Sequence, residues 1–187
     1  MRSLPNVITF ARLLAVPLAV YCIVSGDLEG AFWVFVAAGV SDAVDGAIAR
    51  LCDARTALGA FLDPLADKAL LVSVYLSLAG IGLLPLWLVG LVVFRDLLIV
   101  GGVLLSYALG RPVAIRPLYI SKLNTLVQLM LATWVLAVNG PGLFGLESLH
   151  LFDLAPLALL EGAVVLTTLL SGASYLLYGH RLFRQPE

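Results

Sequence analysis

Between residues 42 and 67 the chain reads DAVDGAIARLCDARTALGAFLDPLAD, and Asp42, Asp45, Asp63 and Asp67 stand there inside or beside segments otherwise apolar enough for lipid. An aspartate at the centre of a membrane helix costs roughly 2.5–3.5 kcal/mol on insertion scales. Four ionised together therefore require protonation, contact with water, or bound cations. Asp42 and Asp45 are three apart and Asp63 and Asp67 four apart, so on helices each pair projects from one face about a turn apart, and the two pairs can meet. Divalent cations answer the need best, because carboxylate oxygens are the ligands that hard Mg²⁺ or Mn²⁺ prefer, and such sites leave positions for water and substrate phosphate.

The residues between the acids suit a phosphate-bearing ligand. Gly46 lets a ligand approach the helix backbone, and Arg50, one turn on, can make bidentate contacts to phosphate. Small residues at Ala47, Ala49, Ala57, Gly59 and Ala60 allow two helices to pack closely enough to share metals.

Written as a pattern, the stretch is Asp42-x2-Asp45-Gly46-x2-Ala49-Arg50-x8-Gly59-x3-Asp63-x3-Asp67. It resembles, without departure, the signature of the CDP-alcohol phosphotransferases. The resemblance implies an integral membrane enzyme that moves a phosphatidyl group from CDP-diacylglycerol to an alcohol and releases CMP, working as a homodimer of six-helix subunits with two divalent cations, Mg²⁺ or Mn²⁺. It further implies Asp42, Asp45, Asp63 and Asp67 as metal ligands. Asp42, Gly46, Arg50 and Thr56 would hold CDP, and Asp67 would be the general base for the acceptor hydroxyl.

Composition agrees with the class. Hydrophobic residues make up 61% of the 187 and charged residues only 12%, far too apolar a balance for an ordinary soluble domain. The net charge of −1 gives no reason to expect a nucleic-acid partner. Cys22 and Cys52 lie on different elements with no metal spacing and read as small packing residues or free thiols. Apolar runs place membrane spans near 5–24, 31–51, 63–82, 85–105, 120–138 and 157–178, in one domain covering 1–187. A cleaved signal peptide is the alternative for the first, but Arg12 interrupts its core and no small-x-small site follows. The expected fold is thus an all-α integral membrane protein with six transmembrane helices.

Arg2, Arg50, Arg55, Arg111, Arg116, Lys122, Arg181 and Arg184 fall on one side with both termini, while the opposite connections carry Asp27, Glu29, Glu147, His150 and Asp153. The positive-inside rule puts the termini and the acidic stretch at the cytoplasmic face of a bacterial inner membrane, or the matrix face of an organelle.

Outside the central stretch each polar residue has two readings. Asn6, Thr9 and Arg12 form a stripe at spacing three. It is either an interfacial cap with a snorkelling Arg or, as the resemblance to the family's first helix implies, a wall of the CDP pocket; the second is preferred, with Asn6 and Thr9 as CDP-binding candidates. Asp63 before Pro64 also looks like a helix N-cap, a role compatible with metal binding. Asp53 and Arg55 look like a solvated loop, and Lys68 like a paired or snorkelling side chain. Arg95 and Asp96, mid-span, should face the bundle interior, in an ion-pair network or against substrate. Arg111, Arg116 and Lys122 form either a positive-inside anchor or, with Arg95, a wall that receives the acceptor's phosphate. YISKLNTLVQL, residues 119–129, resembles eukaryotic-type cardiolipin synthases, which favours phosphatidylglycerol as acceptor over the glycerol-3-phosphate of the phosphatidylglycerophosphate synthases. From residue 130 onward the sequence reads as generic membrane helix. A cation transporter or channel is the competing class, but the acids cluster toward one face and no duplicated half is visible.

Overall fold

Six helices follow one another, and the described residues contain no strand: α1 (Leu4–Val24), α2 (Leu28–Cys52), α3 (Ala57–Gly80), α4 (Leu86–Ala108), α5 (Tyr119–Asn139) and α6 (His150–Arg184). The computed structural model describes the backbone of residues 4–52, 57–108, 119–140 and 150–184, and the side chains of 12–41, 68–102, 119–140 and 155–177. Each expected span lies within one of these helices or overlaps it to within two residues. Two starts differ from expectation. α3 begins at Ala57, so Asp63 and Pro64 lie in its second turn, and the N-cap reading of Asp63 is corrected. The run from Ala57 to Leu62 is rich in Ala and Leu, which favour helix strongly enough to carry it through a proline near the N-terminal end. α6 likewise starts at His150 and runs through Pro156; neighbouring groups tolerate such prolines in apolar helices.

The chain divides into two compact units, residues 1–84 with 132–153, and residues 85–131 with 154–187. In the first, α1 packs against both α2 and α3. Ala19 and Ile23 of α1, Phe32 and Phe35 of α2, and Leu71, Val74 and Leu78 of α3 are buried. Arg12 stands on the same helical face as Ala19 and Ile23 and is only 4% exposed, so it does not snorkel. In the second unit Leu88, Val89, Val92, Leu131 and Val164 form the apolar part of the interior.

Large apolar side chains line the outside: Leu14, Leu18, Trp33, Leu76, Trp87, Phe94, Leu97, Leu126, Leu159 and Leu166 are all exposed. Polar residues lie within, among them Arg95, Asn124, Gln128, Thr168 and Ser171. Water would disfavour that distribution and hydrocarbon favours it. Hydroxyls turned outward satisfy themselves locally. Ser41 Oγ donates to the Ala37 carbonyl at 2.7 Å, Ser77 to Ser73 at 2.8 Å and Ser174 to Leu170 at 2.7 Å, which removes most of the penalty for facing an apolar medium. Among the described residues, Tyr119–Asn139 and Ala155–Leu177 are each long and apolar enough to cross a bilayer.

Short caps join the helices of the first unit. Gly26, with φ 85°, ends α1, and the Asp27 carboxylate then accepts the Gly30 N–H at 2.9 Å, an N-cap bond to the third residue of α2. A Cβ at Gly30 would collide with that carboxylate. α3 closes through Gly82, φ 82°, with Gly82 N–H donating to Ala79 and Leu83 N–H to Leu78. That pair of bonds is a Schellman cap. Asp27→Ala is expected to lower stability by about 1 kcal/mol, with Asp27→Asn retaining most of it; thermal unfolding in detergent micelles measures both.

Candidate functional site

The acidic residues lie on consecutive helices joined by residues 53–56. Distance along each helix is counted from the joined ends. At 1.5 Å per residue, Asp45 stands about 10 Å from the end of α2 and Asp63 about 9 Å from the start of α3. Asp42 and Asp67 each stand about 15 Å in. Counted from the ends joined by 53–56, the four positions thus fall at two similar distances along their helices, one acid from each helix at each distance. Gly46 follows Asp45, and Arg50 lies in the last turn of α2. Asn6 and Thr9 lie in the first two turns of α1, which packs on both acidic helices. These positions are backbone positions. Thr56, Arg111 and Arg116 lie outside the described residues.

A donor set of carboxylate oxygens alone fits a hard divalent cation and no soft one. Among the described side chains no group of three or more His, Cys, Asp or Glu comes together; the side chains of Asp42, Asp45, Asp63 and Asp67 lie outside them.

In the second unit the side chains are described in full around Arg95, which is 4% exposed. Its Nη1 donates to Asp96 Oδ1 at 2.7 Å, its Nη2 to Ser121 Oγ at 2.6 Å and also to Ser171 Oγ, and its Nε to Ser171 Oγ at 3.2 Å. The guanidinium carbon lies 5.9 Å from the centre of the Tyr175 ring, within cation–π range. Of the two roles open to Arg95, the interior network is the one its contacts describe. One turn along α5, Asn124 is fully buried and its Oδ1 accepts from Thr167 at 2.8 Å and Thr168 at 2.9 Å. Its Nδ2 has no hydrogen-bond partner among the described residues. Lys122, in the first turn of α5, points outward, its Nζ 5.9 Å from the Tyr119 ring.

Reading α6 as generic membrane helix therefore needs correcting. Thr167, Thr168 and Ser171 occupy one helical face, as do Ser121, Asn124 and Gln128 of α5. The signal was available as two polar stripes within apolar spans. What the stripes could not say is that they face each other.

Helices that turn large apolar side chains outward and enclose polar ones define a class, the membrane-embedded helical proteins. The comparisons narrow it. Residues 2–170 match the family described as CDP-alcohol phosphatidyltransferase. The chain is 34% identical over 198 residues to a probable cardiolipin synthase (CMP-forming) of Drosophila melanogaster, covering 97% of this chain and 59% of that protein. It is 33% identical to the human cardiolipin synthase (CMP-forming), covering 96% and 62%, and 32% identical to a probable phosphatidylglycerophosphate synthase of Mycobacterium tuberculosis, covering 92% and 79%. This chain belongs to the CDP-alcohol phosphatidyltransferase family. It spans about three fifths of the length of the fly and human relatives.

Buried side-chain hydrogen bonds between apolar helices are worth about 0.6–1.7 kcal/mol each. Asn124→Ala and Thr168→Val are each expected to destabilise by about 1 kcal/mol, and their combination by less than the sum, in a double-mutant cycle read from chemical unfolding in detergent.

Proposed function

We propose that this chain is a multi-pass membrane phosphatidyltransferase that transfers the phosphatidyl group of CDP-diacylglycerol to phosphatidylglycerol, forming cardiolipin and releasing CMP. The observation that carries the reading is the set of acidic positions at two similar distances along α2 and α3, within a stretch that keeps the whole family pattern. The acceptor assignment follows the fly and human relatives, whose names specify a cardiolipin synthase. Six spans and cytoplasmic termini accompany this reading, supported by the six helices and the one-sided distribution of Lys and Arg, and the family membership adds a homodimer to it.

In the reaction, the acceptor hydroxyl oxygen attacks the lipid-side phosphorus of the diphosphate, a new P–O ester bond forms, and the bond to the CMP oxygen breaks. Asp67 takes the hydroxyl proton. Asp42, Asp45 and Asp63, with Asp67, would hold two divalent cations, which when bound offset the diphosphate charge and stabilise the leaving CMP oxygen. Gly46 admits the diphosphate close to α2, Arg50 grips it through its fork of N–H donors, and Asn6, Thr9 and Thr56 line the nucleotide. Arg111, Arg116 and Lys122 supply positive charge for the acceptor's phosphate. The chemistry is mainly positioning and electrostatic, which suits a site with one base and many anchors.

A second reading keeps the chemistry and takes glycerol-3-phosphate as acceptor; the M. tuberculosis relative, matched over 79% of its length, favours it. Purified protein given CDP-diacylglycerol with phosphatidylglycerol is expected to release CMP and form cardiolipin, and turnover with glycerol-3-phosphate alone would decide for the second reading. Asp67→Asn is expected to lower kcat about 10²–10⁴-fold, the contribution of a positioned general base, while isothermal titration still detects CDP binding. Chelation by EDTA is expected to stop CMP release, with Mg²⁺ or Mn²⁺ restoring it.

A further inference from the structure

The tight turn at Gly26 and Asp27 folds α1 and α2 against each other as a hairpin, so positions equally far from Asp27 stand across from one another. Ile23 and Ala31 are four residues from it, Ala19 and Phe35 eight, Val16 and Ala38 eleven, and Arg12 and Asp42 fifteen. Val16 is half-buried and the other five apolar residues are buried. Steps of four, three and four keep each set on one helical face. α3 also packs on α1, and it repeats those steps: Leu78, Val74 and Leu71 are buried, and Asp67 is the next position on their face. Three interior faces thus carry an apolar seam, and each seam ends at a charged residue, a cation on α1 and an acid on each of α2 and α3.

Arg12 is only 4% exposed. A guanidinium keeps its charge when buried, and burying it without a counter-ion is strongly destabilising. Among the described side chains of this unit the acids are Asp27 and Glu29. Both stand at the turn, about 18 Å or more along the hairpin from Arg12, and Asp27 is engaged with the Gly30 N–H. One step past Arg12 the seam brings Thr9 opposite Asp45, each eighteen residues from Asp27. The acids that answer Arg12 position for position are therefore Asp42 and Asp67.

Resting on the metal-ligand reading above, we propose that Arg12 is the internal counter-ion of Asp42 and Asp67: in the metal-free protein its guanidinium pairs with both carboxylates, holds them in place, and competes there with divalent cations. The fork of N–H donors suits two carboxylates arriving from different helices. Arg12 acts through the two acids and does not touch the substrate, so it is a positioning residue.

Wild type and Arg12→Gln, each alone and combined with Asp42→Asn, Asp67→Asn or the distant Asp27→Asn, are unfolded chemically in detergent with EDTA present, a measurement that needs neither metal nor turnover. The factor by which Arg12→Gln raises the unfolding constant is expected to shrink about tenfold once Asp42→Asn or Asp67→Asn is in place, and to stay within about twofold beside Asp27→Asn. Equal factors in every background would overturn the proposal, as would a larger coupling to Asp45→Asn or Asp63→Asn. Should Arg12→Gln not fold, Arg12→Lys, which keeps the charge and loses the fork, carries the same cycle, with a coupling of the same sign and about threefold. Mn²⁺ binding, read by electron paramagnetic resonance of the free ion, separates a counter-ion from a packing residue. Removing a competing cation is expected to tighten Mn²⁺ binding about tenfold or more in Arg12→Gln, with Arg12→Lys near wild type. An unchanged or weakened affinity in Arg12→Gln would overturn the proposal. A wild type that binds no Mn²⁺ would sink the metal-ligand reading and the competition with it, while the cycle in EDTA decides the pairing by itself.

Discussion

Placing an ionised side chain among hydrocarbon-facing helices costs several kcal/mol unless something compensates it, and this molecule does so repeatedly. Each compensation leaves a structural mark. Asp42, Asp45, Asp63 and Asp67 are distributed over two consecutive helices at two similar distances from the ends joined by 53–56. Arg12 is buried on the face of α1 that carries Ala19 and Ile23. Arg95 is surrounded by Asp96, Ser121, Ser171 and the Tyr175 ring.

The same cost that makes these groups expensive makes them specific. Leucine packed against leucine in lipid gives little preference for one register over another, since the tails outside are as apolar as the neighbours inside. Within the second unit, register comes instead from two polar rungs, Arg95 with Ser121 and Ser171, and Asn124 with Thr167 and Thr168. A shift of one turn would break both. Polar residues that look like liabilities in a hydropathy profile are thus the ones that determine how the helices align.

Much of the fold was legible beforehand because its cause is local. Apolar runs of bilayer length gave six helices in the right places, and the turn at Gly26 and Asp27 follows from residues that favour a left-handed turn and an N-cap. Helix starts were less legible. Asp63-Pro64 has the local chemistry of a cap, yet the preceding Ala and Leu residues continue the helix by two further turns. The polar face of α6 was passed over because Thr and Ser raise no alarm in a hydrophobic segment; each can bond its own helix, as Ser174 does to Leu170 at 2.7 Å. Only the position of Asn124 on another helix shows that the hydroxyls also serve across the interface.

Chemistry that depends on residue type and short spacing was written in the chain itself. Carboxylates at 42, 45, 63 and 67, with the glycines and arginine among them, carry the family pattern, because helical geometry turns such spacings into faces without help from the rest of the fold. Long-range choices were not. Whether Arg95 would reach for substrate or for Ser121 and Ser171 was decided by helices 26 and 76 residues away in sequence, since a guanidinium in an apolar interior bonds whatever donors' partners the packing brings within reach, and no local pattern encodes that.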